Sequence, residues 1–150
     1  MTLDALDQQI LRALTANAEQ STTRLAQKLG LSQPATWRRI KRLQEAGIIA
    51  GRRLVLDAEK VGFGVTVFVG GKRATKGRVS LEDFERAIGA IPEVQTVDHV
   101  LGLYDYRLRV VARDLADFER VLRRRIMTMP GVGDVEANVL LSEERRQGPL

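Results

Sequence analysis

The 150-residue chain contains no cysteine and only one histidine, His99. Without thiols there is no disulfide scaffold, no thiol nucleophile and no cysteine-based zinc site. One imidazole is too little for a histidine-rich metal centre, so no metal or cofactor is expected. Long apolar runs are missing as well. The longest charge-free stretch is Val61–Gly71, far short of the roughly 20 apolar residues a membrane span needs. The first ten residues, MTLDALDQQI, carry acids where a signal peptide carries bases ahead of an apolar stretch. These absences predict a soluble cytoplasmic protein. Its 44% hydrophobic and 29% charged residues suffice for a packed core and exclude a disordered chain.

What the chain does have is positive charge in one place. Its formal net charge is +5. Up to Leu56 there are nine bases against four acids, while the remainder carries fifteen of each. The whole excess therefore belongs to the first third. Such asymmetry suggests a nucleic-acid or membrane partner for the basic part, against the plainer reading of a solvated basic surface.

The apolar pattern of that third gives three helices. Leu3, Leu6, Ile10 and Leu14 recur at three- and four-residue steps, so Leu3–Ala16 reads as an amphipathic helix. Ser21–Thr23 supply capping hydroxyls for a short second helix with Leu25, Ala26 and Leu29 inside, stopped by Gly30. Leu31 follows as a buried plug. Ser32 then caps a third helix with Pro34 in its first turn, where a missing N–H costs nothing, running to Ala46 and ending at Gly47. Two helices joined by a turn of about three residues form a helix-turn-helix.

On the third helix Thr36, Ile40 and Leu43 make an inward stripe, and Gln33, Trp37, Arg38, Lys41 and Arg42 project elsewhere, with Arg39 near the boundary. Four cations within Arg38–Arg42 repel one another on a free helix, whereas a polyanion removes the penalty and releases counterions. The first turn of such a helix, here Ser32, Gln33 and Thr36, normally meets base edges in the major groove. Since Thr36 is assigned inward, Gln33 and Trp37 are the better base-edge candidates. Arg38 can fork onto guanine, with Arg39, Lys41 and Arg42 as further contacts and the latter two as phosphate clamps. Trp37 has a competing reading as a partly buried residue sealing the helix. Ile48–Leu56 (IIAGRRLVL) reads as a short extended pair turning at Gly51, either a plain hairpin or a wing touching phosphates through Arg52 and Arg53.

After a linker at residues 57–63, the pattern changes. Val65, Val67 and Val69 alternate within Phe63–Gly71, a strand signal. The segment Gly70–Val79 reads as a surface loop: Gly71-Lys72 lacks the earlier glycine and the hydroxyl of a phosphate-binding loop, and Gly62-Phe63-Gly64 lacks the third glycine of a dinucleotide fingerprint. Ser80 caps a helix with Leu81, Phe84, Ile88 and Ile91 on one side, ended by Pro92. Val94–Leu101 and Tyr104–Val111 are strands joined at Gly102-Leu103. Asp114 caps a helix striped by Leu115, Phe118, Val121, Leu122, Ile126 and Met129, with Arg123–Arg125 on its solvated face, and Val135–Leu141 is a last strand. The order βαββαβ is a ferredoxin-like sandwich with helices on one sheet face. Its uncovered face needs a partner, which dimerisation through the sheets supplies. The expected class is therefore α+β, with residues 1–56 a winged helix-turn-helix and 64–150 the sandwich.

The motifs L-D-x-x-D-x-x-I-L (Leu3–Leu11), L-A-x-x-L-G-L-S (Leu25–Ser32), R-R-I-K-R-L-x-x-x-G-I-I (Arg38–Ile49), G-x-x-D-Y (Gly102–Tyr106) and M-P-G-V (Met129–Val132) stand in this order along nearly the whole chain. Together they resemble the Lrp/AsnC (feast/famine) transcription regulators. The resemblance implies that the second domain is an amino-acid-metabolism (RAM) domain for effector binding and oligomerisation. It also implies dimers assembling into octamers or other even multimers, and an amino acid or related metabolite bound between dimers around Gly102, Leu103, Tyr104 and Asp105. Many members read G-D-[FY]-D at this turn. Here Leu103 takes the first acidic place, so a carboxylate that could hold an effector's ammonium group is missing, with Asp105 a substitute. Glu136 and Asn138, on the strand face opposite Val135 and Ala137, are further candidates; a turn with no ligand is the plainer alternative.

The expected function is sequence-specific, effector-modulated regulation of transcription on double-stranded DNA, with the protein on the nucleoid. A ligand-independent architectural DNA-binding protein is the alternative. An enzyme is not expected: His99 lies in an apolar strand pattern as a structural residue, and Asp98 and Asp105 form no recognisable carboxylate pair.

Overall fold

The computed structural model describes residues 2–74 and 79–146. The chain divides into two compact units, one running to Val55 and the other spanning Leu56–Glu143.

In the first unit α1 spans Ala5–Ala16, α2 Thr22–Leu29 and α3 Gln33–Glu45. Each helix starts where a short polar side chain meets the orphan N–H groups of the first turn. Ser21 Oγ accepts from Arg24 N and Ser32 Oγ from Ala35 N. On α1 the cap is Asp4, which accepts from Asp7 N at 2.8 Å while Asp4 N donates to Asp7 at 3.3 Å, a reciprocal capping box. Leu3 thus lies ahead of the helix. Gly30 ends α2 at φ +65°, the left-handed region glycine enters without strain. Ile10, Leu11, Leu25, Ile40 and Leu43 form the core. Full burial of a side chain such as Leu25 or Leu43 stabilises the unit by roughly 1.5–3 kcal/mol.

The expected hairpin over Ile48–Leu56 is not formed. Residues 51–57 carry no regular secondary structure, and Leu54, Val55 and Leu56 are exposed. A two-stranded ribbon with little to pack against is marginal by itself. The 57–63 segment is a compact turn, closed by Phe63 N to Ala58 O at 2.8 Å and capped by Asp57.

The second unit is one antiparallel sheet of β1 (Val65–Arg73), β2 (Val94–His99), β3 (Tyr106–Ala112) and β4 (Val132–Val139), in the order β2-β3-β1-β4. Helices α4 (Leu81–Gly89) and α5 (Leu115–Val121) complete the βαββαβ order. Val67 and Val69 on β1, Tyr106, Leu108, Val110 and Ala112 on β3, Phe84 and Ile88 on α4, and Phe118, Val121 and Ile126 share one core. The strand period of two turns Phe68, Arg107 and Arg109 to the other face. Phe68 lies opposite Arg109, and both Arg107 and Arg109 set their guanidinium groups over its ring, at 5.0 and 5.5 Å from the centroid.

Three details depart from the sequence pattern. First, β1 runs past the expected end at Gly71 to Arg73, so the start of the expected Gly70–Val79 loop is strand, while residues 75–78 of that loop lie outside the described residues. A Cβ on Gly70 would collide with the Tyr104 ring, and one on Gly71 with the Tyr106 hydroxyl. The glycine pair therefore makes room for one aromatic ring on each sheet face. Second, the last helix passes after Val121 into a π-helical turn, Leu122–Ile126, which buries Ile126; of the expected stripe Leu115 is exposed, while Leu122 and Met129 pack against the core. Third, the two strands flanking the Gly102 turn are shorter than expected, and residues 100–105 form an irregular crossing.

Candidate nucleic-acid interface and effector turn

On α3 the inward stripe is formed as the spacing requires. Thr36 is fully buried, and its Oγ1 donates to Ser32 O at 3.0 Å. Thr36 is therefore removed from the expected base-edge contacts: its hydroxyl is used within the helix and its surface is covered. Ser32 is likewise occupied as the cap, although exposed. Gln33 and Trp37 are exposed, with Trp37 at 53% of its full area, so the reading of Trp37 as a sealing core residue does not hold. Thr22, Gln33, Pro34 and Trp37 line an open cleft of about 320 Å³. Lys41 Nζ stands 5.1 Å from the Trp37 ring centroid, which spreads an amphipathic, cationic surface along one side of the helix.

The four clustered cations split into two pairs. Arg39 Nη1 donates to Asp4 Oδ2 at 2.7 Å and to Asp7 Oδ1 at 2.9 Å. Arg42 Nη2 reaches both oxygens of Asp7, at 2.8 and 2.7 Å. Asp7 has no exposed side-chain surface. The Asp7 backbone N–H, then the Arg39 guanidinium, holds the Asp4 carboxyl below its ordinary value, and Asp4, then Asp7, raises that of Arg39. Arg42, expected as a phosphate clamp, thus already holds a buried carboxylate through Nη2 while its side chain stays half exposed, and the like-charge repulsion on Arg39 and Arg42 is relieved inside the fold. Arg38 has no ion-pair partner among the described residues, and Lys41 has only Glu45 at 3.8 Å with both side chains exposed, a pair of small worth in water. Arg38, Arg39, Arg42 and Ala35 border a second open cleft of about 300 Å³. Arg52 and Arg53 are exposed on the unpaired 51–57 segment.

Sequence reasoning missed Asp4 and Asp7. The signal was present: Leu3, Asp7, Ile10 and Leu14 share one helical stripe, and a carboxylate in an apolar stripe has to find a cation.

At the effector turn, Leu101 and Leu103 are exposed and Gly102 stands between them. Asp105 is tied into the sheet end: its N–H donates to Gly71 O at 2.9 Å, and its Oδ2 accepts from Arg73 N at 2.8 Å. One carboxylate oxygen of this exposed residue is thus engaged, leaving Oδ1 for other partners. Glu136 pairs across from Gly70, the residue under the Tyr104 ring, so Tyr104 and Glu136 flank the same position on the open sheet face. Asn138 lies one register step away, opposite Phe68. The structure therefore groups Tyr104, Glu136 and Asn138 on the sheet and leaves Gly102 and Leu103 at the tip of the turn. On the helix-covered side of the sheet, His99 Nε2 lies 2.7 Å from Glu85 Oε1 on α4, partly exposed rather than within an apolar core. Arg123 pairs with Glu119 at 3.0 Å and Arg125 with Glu93 at 2.9 Å, consistent with a solvated face.

Among the described residues no cluster of three or more acidic, histidine or cysteine side chains could hold a metal, and no helix is long and apolar enough to cross a membrane.

Comparison with known proteins matches residues 3–50 to a winged helix-turn-helix DNA-binding family and residues 66–150 to the Lrp/AsnC ligand binding domain. The chain is 32% identical over 146 residues to the proline dehydrogenase transcriptional activator of Rhizobium radiobacter, covering 97% of this chain and 94% of that protein. An AsnC family transcriptional regulator from Agrobacterium tumefaciens superposes with a TM-score of 0.88 at 34% identity, over 99% of this chain and 96% of that one. A transcriptional regulator of Neisseria meningitidis, solved as a complex with L-Met, superposes with a TM-score of 0.92 at 28% identity, again over 99% and 96%.

Proposed function

The chain belongs to the Lrp/AsnC family of transcriptional regulators, and from that premise we propose that the exposed side of α3 reads double-stranded DNA while the second unit binds a small-molecule effector and pairs chains. Residues 1–56 take the DNA-binding role, 57–63 the linker and 64–150 the effector and oligomerisation role. The protein acts in the cytoplasm on the nucleoid and has no catalytic function.

The observation that carries the reading is the surface made by Gln33, Trp37, Arg38 and Lys41: exposed, cationic and without a strong internal partner. Gln33 and Trp37 meet base edges, Arg38 a guanine or a phosphate, and Lys41 a phosphate. Arg52 and Arg53 reach the neighbouring backbone from the exposed segment that follows α3. A dimer formed through the open sheet face sets two copies of α3 on successive turns of a pseudo-palindromic site. Phe68 supplies the apolar centre of that face, with Arg107, Arg109 and Glu136 around it.

The effector is an amino acid or a close derivative, a class to which the L-Met bound by the Neisseria relative belongs. The Asp105 Oδ1 and Glu136 carboxylates offer the acceptors for an ammonium group in place of the acid absent at Leu103. Its binding shifts the population of assembly states through its different affinities for them.

Selection from a random-duplex pool tests the DNA assignment. Enrichment of a preferred site, weakened at least tenfold by Arg38→Ala, is the expected result. Footprints spread over generic DNA favour the architectural alternative, and unchanged affinity in the variant removes Arg38 from the interface. A thermal-shift screen of amino acids tests the second half, since a ligand of the native state raises the melting point with concentration.

A further inference from the structure

We infer that Asp7 is a specificity-determining residue that withholds Arg39 and Arg42 from the DNA backbone, so that α3 meets a duplex with roughly half of its clustered cations; this rests on the DNA-binding reading above. Both guanidinium groups end on the same buried carboxylate, with Asp4 as a second acceptor for Arg39. They nevertheless line the cleft that Arg38, without an ion-pair partner among the described residues, also lines. A phosphate held by Arg38 would therefore lie beside two cations that Asp7 already occupies.

The consequence is electrostatic. Each phosphate neutralised contributes about 0.9 to the slope of log K against log salt, and this sequence-independent term dominates non-specific binding. Two arginines held on a buried carboxylate remove up to about 1.8 from that slope. They thereby weaken the hold on generic DNA while leaving the base-facing residues Gln33, Trp37 and Arg38 untouched. The same ion pairs tie the first turn of α1 to the middle of α3, which fixes how the helix is presented.

The test measures the affinity of the full chain for a mixed-sequence 30-base-pair duplex by fluorescence anisotropy across a sodium chloride series. Asp7→Asn, checked for folding by circular dichroism, is expected to steepen the slope by about 1 to 2 and to tighten binding at low salt. A folded variant with an unchanged slope overturns the inference. If removing the charge from buried Asp7 unfolds that variant, Arg42→Gln decides. Its slope is expected to equal that of the unsubstituted protein, whereas a drop of about 0.9 shows Arg42 on a phosphate and overturns the inference. Arg38→Gln separates the two levels of the argument. A drop of about 0.9 there supports the DNA-binding surface, and no drop counts against that surface whatever Arg42 does.

Discussion

Tyr106→Phe removes the one phenol that lies under the effector turn. The side chain is fully buried, its ring packs on Phe84 with centroids 4.8 Å apart, and its hydroxyl has no hydrogen-bond partner among the described residues. Burial, then the charge of Asp105, pushes its ionisation up from 10 to about 12. That rise corresponds to roughly 3 kcal/mol between the neutral and ionised forms in the folded state. A hydroxyl buried without a partner costs about 1–3 kcal/mol of desolvation, whereas the ring is retained in phenylalanine. The variant is therefore expected to be as stable as the parent or about 1 kcal/mol more stable at pH 8. The pH dependence has a definite sign. The folded state holds the phenolic proton more tightly than the unfolded chain, so Tyr106 contributes no loss below pH 10. It costs stability increasingly as pH rises from 10 through about 12. Urea unfolding followed by far-ultraviolet circular dichroism, at pH 8 and at intervals up to pH 11.5, measures both effects. The difference between the two proteins should widen in favour of phenylalanine above pH 10. A variant less stable by more than about 1 kcal/mol at pH 8 would mean that the hydroxyl is satisfied, and the reasoning fails.

The remaining predictions concern the sheet, the acid limb and the turn. Gly71→Ala places a methyl group against the Tyr106 hydroxyl and should cost 1–3 kcal/mol or more in a urea titration, as overpacking does. Asp117 is held well below the usual carboxylate range by the Arg113 side chain, then by the Arg113 N–H and Arg120. Its contribution is present above about pH 4 and is lost as pH falls through the lowered folded value, so melting of Asp117→Asn should show a weaker acid dependence below pH 4 than the parent. Leu103→Asp restores an acid at the exposed tip of the turn. Calorimetric titration should then show at least tenfold tighter binding of whichever free amino acid the screen identifies, and equal affinity would place the ammonium group elsewhere.

Helix placement was readable because it rests on local rules. Ser21, Ser32, Ser80 and Asp114 each accept the backbone hydrogen bond that a cap residue supplies, and the helices follow them. The sheet order followed from the element order. The need for glycine at 70 and 71, where the expected strand and the expected loop overlapped, was unreadable because its reason is non-local: the rings that need the space come from residues 104 and 106, over thirty positions away. The 48–56 segment shows the opposite failure, a local hairpin reading without the neighbour that turns it into a sheet edge.

At the candidate site the same distinction explains what was seen and what was missed. Counting charge along the chain located the basic third correctly, but a count along one helix cannot tell a free cation from one already neutralised. Arg38 and Arg42 are the same residue type one turn apart, and they differ because only Arg42 lies across from the first turn of α1. The clue lay on the partner helix, where Asp7 interrupts a stripe of Leu3, Ile10 and Leu14. A buried carboxylate is expensive unless compensated, so its position alone required cations from the only strongly basic segment near it in the fold. Reading the acid on α1 and the bases on α3 as one problem, rather than as two helix faces, separates Arg39 and Arg42, which Asp7 holds, from Arg38 and Lys41, which it does not.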